Sequence, residues 1–163
     1  MASAGVWAPD WMWGAPLIAL TVVMLVLGLG IISTALRRWF GKTLRRSNSQ
    51  LLFCIVTATA ALLLVLLHML DALIWAAAYV MLSALPNIGD AVYFSLGAIT
   101  TLGSDSSHLA KHWKLMGAIE AMDGLLLFGL STAFLFAMLE RIWIFQTELA
   151  GGRKHWADLH SGD

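Results

Sequence analysis

The sequence predicts an all-α membrane protein with three transmembrane helices and a short helix between the second and the third. Of its 163 residues, 60% are hydrophobic and 12% are charged, which is more apolar than a typical soluble domain. Three apolar runs are long enough to cross about 30 Å of hydrocarbon at about 1.5 Å per residue. A half-polar segment separates the last two runs and supplies the short helix.

The first transmembrane helix is predicted at 15–36, after an external N-terminal segment at 1–14. Leu17 to Leu36 carries no charged residue, and basic residues follow this run instead of preceding it. A cleaved secretory signal has the opposite order, with positive charge before a short apolar core. We therefore expect a retained transmembrane helix.

A basic linker at 37–50 sets the predicted orientation. It contains five basic side chains, Arg37, Arg38, Lys42, Arg45 and Arg46. Because short loops rich in Lys and Arg face the cytoplasm, the linker is predicted to be cytoplasmic and the N-terminus external, in the plasma (inner) membrane. The linker is expected either to bind anionic lipid headgroups or to act only as a topology signal.

The second transmembrane helix is predicted at 51–85 and the third at 115–145, followed by a cytoplasmic tail at 146–163. The second run is longer than a perpendicular crossing requires, so we expect it to tilt or to project beyond the membrane.

Four ionisable residues interrupt these two helices. His68 and Asp71 share one face of the second helix, and Glu120 and Asp123 share one face of the third. Such residues are rare in membrane spans and usually have polar partners. We expect all four at a similar depth, with His68, Asp71 and Glu120 supporting the segment between the two helices. A proton-sensitive role is the alternative.

The segment at 86–114 begins with PNIGD, which is turn chemistry, and Asp90 is positioned to cap the helix that follows. The next residues, AVYFSLGAITT, predict about three helical turns, which are too few to span a membrane. A short helix that enters and leaves on the same side is re-entrant, and its irregular backbone must be buried in protein or face water. The negative end of such a helix and the carbonyls beyond it suit partly dehydrated cations.

The stretch YFSLGAITTLG, Tyr93 to Gly103, resembles the pore helix and the start of the selectivity filter in the tetrameric potassium-channel pore-loop family. That family's pattern is close to Y-F-S-x-x-T-x-T-T-x-G-Y-G-D. The stretch EAMDGLLLFGLSTAFLFAML, Glu120 to Leu139, is similar to the family's inner helix. The resemblance covers roughly Leu51 to Ile144. It implies a homotetramer around a central pore, with the second helices outside, the third helices lining the cytoplasmic half and the re-entrant loops forming the filter.

The resemblance also assigns the filter residues. Thr101, Leu102 and Gly103 match the family's Thr-Val-Gly, and Thr100 precedes them on the pore helix together with Asp90. The sequence then departs from the family, with Ser104 in place of the aromatic residue and Asp105 in place of the second glycine. The ion contacts implied by the match are Thr101, Leu102, Gly103, Ser104 and Asp105.

Asp105 leaves the permeant ion open. Four copies of its carboxylate near the axis would form an acidic ring, which is one way in which cation channels attract sodium or divalent ions. Because Asp tolerates left-handed backbone, a distorted potassium-like path is a second interpretation. In a third, the carboxylate turns away from the pore and the pore is altered or closed.

In the third helix, Gly124 and Gly129 suit either a hinge or close helix contact. An apolar inner gate is predicted at Leu135, Met138 and Leu139, although ordinary packing residues would show the same pattern. Ser131 and Thr132 are candidates for hydroxyls that face the cavity.

The expected function is passive cation conduction through a tetrameric pore with an atypical filter. The alternative is a non-conducting pore-loop subunit or scaffold with a degenerate filter. No cofactor is expected beyond the permeant monovalent or divalent cations. The chain carries no HExxH motif, P-loop or nucleophile elbow, so we do not expect an enzyme, and ten basic against ten acidic residues give no nucleic-acid footprint.

Overall fold

The computed structural model describes the backbone of residues 8–46, 50–102, 109 and 113–160, and the side chains of residues 10–38, 51–102, 109 and 113–141. Within these residues the chain forms α1 (Ala8–Arg46), α2 (Gln50–Met81), α3 (Ile88–Ile99) and α4 (Lys114–His160), without a strand. Three stretches are long and apolar enough to cross a membrane, namely Asp10–Arg38, Leu51–Met81 and Lys114–Arg141. The predicted all-helical class with three apolar spans is confirmed.

Two of the helices are longer than the predicted spans. α1 continues to Arg46 through most of the basic linker at 37–50, and α4 continues to His160 through most of the tail at 146–163. Lys, Arg, Glu and Gln favour helix, so the polar ends extend helices whose apolar parts were predicted.

Hydrogen bonds between α2 and α4 show that these helices are antiparallel. Glu120, near the start of α4, pairs with Tyr79 near the end of α2. Ser131, further along α4, pairs with His68, which lies earlier in α2.

α1 runs in the same direction as α4. Asp10 contacts Met116 in the first turn of α4, and Gly14 lies against Ile119 about one turn later. The three long helices therefore form an up-down-up bundle, in which α1 and α4 begin at the same end.

Two hydrophobic clusters lie along the bundle. The α3 cluster surrounds α3 at the end where α4 begins, and its large members include Trp75, Tyr79, Phe94, Trp113, Met116 and Ile119. The distal cluster joins α1 and α2 at the other end, and consists of Ile32, Leu36, Val56, Ala60 and Leu64.

α3 lies between α2 and α4 and contacts both. Its buried face consists of Ala91, Phe94, Ser95, Ala98 and Ile99. The N-cap is Asn87, whose side-chain oxygen accepts a 2.8 Å hydrogen bond from the Asp90 N–H. The expectation that Asp90 caps this helix is thereby corrected, because Asp90 lies inside the first turn, where its carboxylate accepts from the Asn87 amide.

α2 ends at Met81 in a left-handed turn, four residues before the predicted limit. Ser83 has φ 53°, and two backbone hydrogen bonds close the turn, from Ser83 N–H to Val80 O (3.0 Å) and from Ala84 N–H to Tyr79 O (2.9 Å). This is a Schellman motif, in which glycine usually occupies the left-handed position. Serine there is strained by its Cβ.

Ser83→Gly should therefore stabilise the protein by about 1 kcal/mol, because glycine adopts a positive φ without steric cost. The measurement is the midpoint of thermal unfolding of the purified protein in detergent. Ser33→Gly is the matched control, since Ser33 lies inside α1, where the same change should cost roughly 0.5–1 kcal/mol. A lower midpoint for both variants would contradict the strain at Ser83.

Candidate functional site

α3 ends in a second Schellman motif, and Thr101 and Leu102, which form its end, are exposed. Thr101 has φ 54°, its N–H donates to Ala98 O (3.0 Å), and the Leu102 N–H donates to Gly97 O (3.0 Å). A β-branched residue in the left-handed region is strained, and such strain persists where the surrounding structure imposes it. Thr100, the C-cap, and Thr101 are exposed, and Leu102 is 81% exposed.

α4 approaches the last residue of α3 with no side chain between the two backbones. A Cβ added to Gly124 would lie 2.5 Å from the Ile99 carbonyl oxygen and 2.7 Å from the Ile99 Cα. These distances are too short for any side chain, so the contact requires glycine. The structure thus gives Gly124 a packing role at the point where α3 ends.

The same contacts give the direction of α3 relative to α4. Phe94 lies against Gly117, where an added Cβ would be 2.9 Å from the ring, and Ile99 lies against Gly124. α3 and α4 therefore run side by side in the same direction. Because Gly124 is ten residues after Lys114, the end of α3 lies about 15 Å along α4 from its start.

Asp123, directly before Gly124, connects α4 with two further helices. Its Oδ2 accepts hydrogen bonds from the Thr21 hydroxyl of α1 (2.8 Å) and from the Trp75 indole N–H of α2 (3.1 Å). The side chain is buried, and its Oδ1 has no hydrogen-bond partner within the described part of the chain. Residues 123 and 124 together bring all four helices to one level.

Glu120 lies beside α3. The Tyr79 hydroxyl donates a 2.7 Å hydrogen bond to Glu120 Oε2, and the Tyr79 ring packs edge-on against Phe94 of α3, with centroids 5.2 Å apart. The Ser95 hydroxyl of α3 is buried near the same carboxyl group but does not form a hydrogen bond with it. Tyr79 and Glu120 therefore both pack against the buried face of α3.

His68 and Asp71 lie close together, with 3.4 Å between His68 Nδ1 and Asp71 Oδ2. His68 Nε2 is 3.0 Å from the Ser131 hydroxyl, and its ring stacks on Phe128 with centroids 4.5 Å apart. Ser131 is eleven residues beyond Glu120, which is about 16 Å further along α4.

Two expectations are corrected by this geometry. The four ionisable residues do not share one depth, because antiparallel packing places His68 opposite Ser131 and far from Glu120. The Ser131 hydroxyl faces α2, where it meets His68, whereas Thr132 is exposed.

α4 has an exposed face that the described residues leave uncovered. At helical spacing it presents Met122, Leu125, Gly129, Thr132 and Phe136. Apart from the backbone of its own helix and its chain neighbours, no described heavy atom lies within 4 Å of a Cβ built on Gly129, and Phe136 is 68% exposed.

The residues predicted as an inner gate lie elsewhere on α4. Leu135 and Met138 pack against the distal cluster of α1 and α2, and Leu139 is partly buried. Leu135 and Met138 therefore face the chain's own bundle, whereas Phe136, at the same level of α4, lies on the exposed face.

The remaining predicted site residues fall at the two ends of α3 or beyond it. Asp90 is exposed in the first turn and Thr100 is the C-cap. Gly103, Ser104 and Asp105 lie outside the described residues.

Sequence reasoning missed four side chains that build this site, namely Asp10, Thr21, Trp75 and Tyr79. On α2 a signal was present, because positions 68, 71, 75 and 79 recur every three or four residues and so share one helix face. On α1, Asp10 and Thr21 show no such period, and only the fold brings them to α4. Within the described residues, no group of three or more His, Cys, Asp or Glu side chains could hold a metal ion.

α2 and α4 are long and apolar enough to cross a membrane, and the short helix α3 packs between them. This arrangement is a membrane module of two long helices and one short helix. A family model described as ion channel matches residues 51–141, which is more than half of the chain and covers this module. The chain belongs to this ion channel family and is an integral membrane protein. Neither the curated proteins nor the solved structures gave a significant match. α1 lies outside the matched range.

Gly124→Ala should destabilise the protein by about 1–3 kcal/mol, because the new methyl group would collide with the Ile99 backbone, which cannot rotate away. Thermal unfolding in detergent provides the measurement. Gly129→Ala is the matched control on the same helix, where open space and the helix propensity of alanine should leave stability unchanged or raise it by up to about 1 kcal/mol. Equal effects of the two substitutions would contradict the contact at Gly124.

Proposed function

We propose that the chain is one subunit of a tetrameric cation channel of the potassium-channel-like pore-loop type, which conducts ions passively. The observation that supports this most strongly is the position of α3. It is an apolar helix of 12 residues that follows α4 inward and ends in the exposed residues Thr100, Thr101 and Leu102.

The depth at which α3 ends supports a re-entrant loop. Twelve residues extend about 18 Å, which is less than the roughly 30 Å of the hydrocarbon core. Because α3 contacts α4 from Gly117 to Gly124, its end lies within the length of a membrane-spanning helix. Irregular backbone at that depth must be covered by protein or must face water.

Assembly of several copies would provide the protein or water that the irregular backbone at this depth needs. Among the described residues, one chain leaves Thr100, Thr101 and Leu102 exposed at the end of α3, together with the α4 face defined above. A closed ring of identical subunits would cover part of these surfaces and enclose a water-filled space with the remainder. The resemblance to the potassium-channel family supports four subunits, with α2 outside and α4 lining the cavity.

The ion path in this proposal is formed by the filter residues Thr101, Leu102, Gly103, Ser104 and Asp105. Backbone carbonyls of the first three replace part of the hydration shell of a cation. Four Asp105 carboxylates near the axis add an acidic ring that draws monovalent or divalent cations to the pore. Support beside the filter comes from Glu120, which is buried against α3.

We place the apolar constriction at Phe136 instead of Leu135 and Met138. Phe136 lies on the same exposed face as Gly129 and Thr132, while Leu135 and Met138 pack on the distal cluster. Four phenylalanine rings around an axis form an apolar girdle, which can close a pore by excluding water.

The proposed orientation has the N-terminus outside and the basic residues after the first span inside. The exposed side chains of Arg37 and Arg38 lie at the end of that span, where they suit anionic headgroups.

Purified protein in planar bilayers should show cation currents, and Asp105→Asn should change the permeability ratios obtained from reversal potentials in bi-ionic gradients of potassium, sodium or calcium. The reason is that the variant removes the acidic ring. Asp90→Asn is the matched control, because it removes the same charge at the opposite end of α3.

Absence of current in potassium, sodium, calcium and barium from a verified tetramer would overturn conduction and favour the non-conducting subunit or scaffold. Unchanged permeability ratios in Asp105→Asn would show that the carboxylate faces away from the ion path.

Phe136→Ala should increase the fraction of time for which the pore is open, because smaller side chains widen the apolar girdle and let it fill with water. Single-channel recording gives this open fraction. Leu135→Ala is the comparison. Because Leu135 is only partly buried, this variant should lower the free energy of unfolding by about 2 kcal/mol, the lower end of the range for buried leucines, without a matching change in opening. Increased opening in Leu135→Ala, without a change in Phe136→Ala, would place the constriction at Leu135 instead.

A further inference from the structure

We propose that α1, through Thr21, positions the filter end of α3, so that a residue outside the matched channel module tunes ion selectivity. The inference rests on the proposed function, since selectivity has meaning only if the protein conducts. Thr21 acts as a positioning residue, because it reaches the filter through α4 and does not touch the ion path.

The link begins with a buried hydroxyl. Thr21 is fully buried, and its Oγ1 lies 2.8 Å from Asp123 Oδ2. The carbonyl oxygens of Leu17 and Ile18 in its own helix are each 3.0 Å away. A hydroxyl carries one proton, so its bond to Asp123 competes with bonds inside α1. The carboxyl oxygen is the nearest of the three acceptors.

The second step leads from Asp123 to α3. Gly124 follows Asp123 directly, and its backbone meets the backbone of Ile99 without an intervening side chain. Side chains can absorb small shifts by changing rotamer, whereas two close-packed backbones must move together. A shift of α4 at Asp123 is therefore transmitted to Ile99 and to the strained Thr101 two residues later.

α1 also holds the start of α4. The Asp10 carboxylate accepts a 3.2 Å hydrogen bond from the Met116 N–H, and a negative group is favoured at the N-terminal end of a helix. Gly14 lets the Ile119 side chain approach, with 3.1 Å from an added Cβ to Cγ2. α1 thus contacts α4 between residues 116 and 123, and α3 contacts α4 between residues 117 and 124. The first turns of α4 are held between the two helices.

The consequence is specific to the Thr21 hydroxyl. Two groups donate to Asp123 Oδ2, and without the Thr21 hydroxyl only the Trp75 indole remains. α4 then loses its hydrogen bond to α1 at the level of Gly124. The backbone after Ile99 then relaxes, and the spacing of the filter carbonyls changes with it.

The test compares Thr21→Val, which keeps the shape and removes the hydroxyl, with Thr21→Ser, which keeps the hydroxyl. Thr34→Val is the matched control in the same helix, because the exposed Thr34 hydroxyl donates only to Gly30 O among the described residues (2.9 Å). Reversal potentials in bi-ionic potassium and sodium gradients, from purified tetramers in planar bilayers, give the permeability ratio. We expect a change of about threefold or more in Thr21→Val and none in Thr21→Ser or Thr34→Val.

A wild-type permeability ratio in an assembled, conducting Thr21→Val tetramer would overturn the inference. If Thr21→Val does not assemble, Asp123→Asn takes its place, since an amide oxygen is the weaker acceptor for Thr21. A change of about threefold or more in the permeability ratio of Asp123→Asn would support the inference, and a wild-type ratio would overturn it.

Failure of the proposed function is recognised separately, by the absence of current in the wild-type protein. In that case, amide hydrogen exchange of a peptide covering 97–102 provides the readout. Faster exchange in Thr21→Val than in Thr34→Val would support positioning of α3 by α1, and equal exchange would overturn it.

Discussion

The backbone contact between Gly124 and Ile99 is the constraint on which the rest of the structure depends. It fixes where a short helix ends inside a bundle of membrane length. No side chain lies between the two backbones, so none can adjust its rotamer to compensate for a shift of either helix. The chain must leave α3 at this level through a left-handed threonine at position 101, so the residues proposed to contact ions begin at a rigid and strained point.

Buried polar pairs set the register of the helices around that contact. In lipid, apolar surfaces give little preference for one helix alignment over another, so hydrogen bonds and small residues do much of the selection. Tyr79 with Glu120 fixes the level of α2, and Thr21 with Asp123 fixes the level of α1. Several buried carboxyl oxygens accept no hydrogen bond from the described residues, including both of Asp71, although Asp71 Oδ2 lies 3.4 Å from His68 Nδ1. Buried oxygens of this kind are the places where internal water is found in proteins.

The sequence predicted the features that depend on local pattern and left open those that depend on tertiary pairing. Long apolar runs gave the three spans. The stretches from Tyr93 to Gly103 and from Glu120 to Leu139 gave a resemblance over roughly Leu51 to Ile144, and the family match at residues 51–141 supports it. Thr21 is a single polar residue in an apolar run, so no periodic pattern in the sequence predicts its partner. Gly124 is compatible with a hinge or with packing until its neighbour is known, and Leu135 and Phe136 differ only in the direction that each faces around the helix.

The central claim is that four copies of α3 end around one axis, where the carbonyls after Ile99 meet cations. A density map of the protein in lipid, determined in potassium and in sodium, tests this claim most directly. The account predicts fourfold symmetry, with ion density on the axis at the level of Thr101 to Gly103 and Gly124 in contact with Ile99. A particle without a rotation axis, or one whose residues after α3 face the lipid, would contradict it.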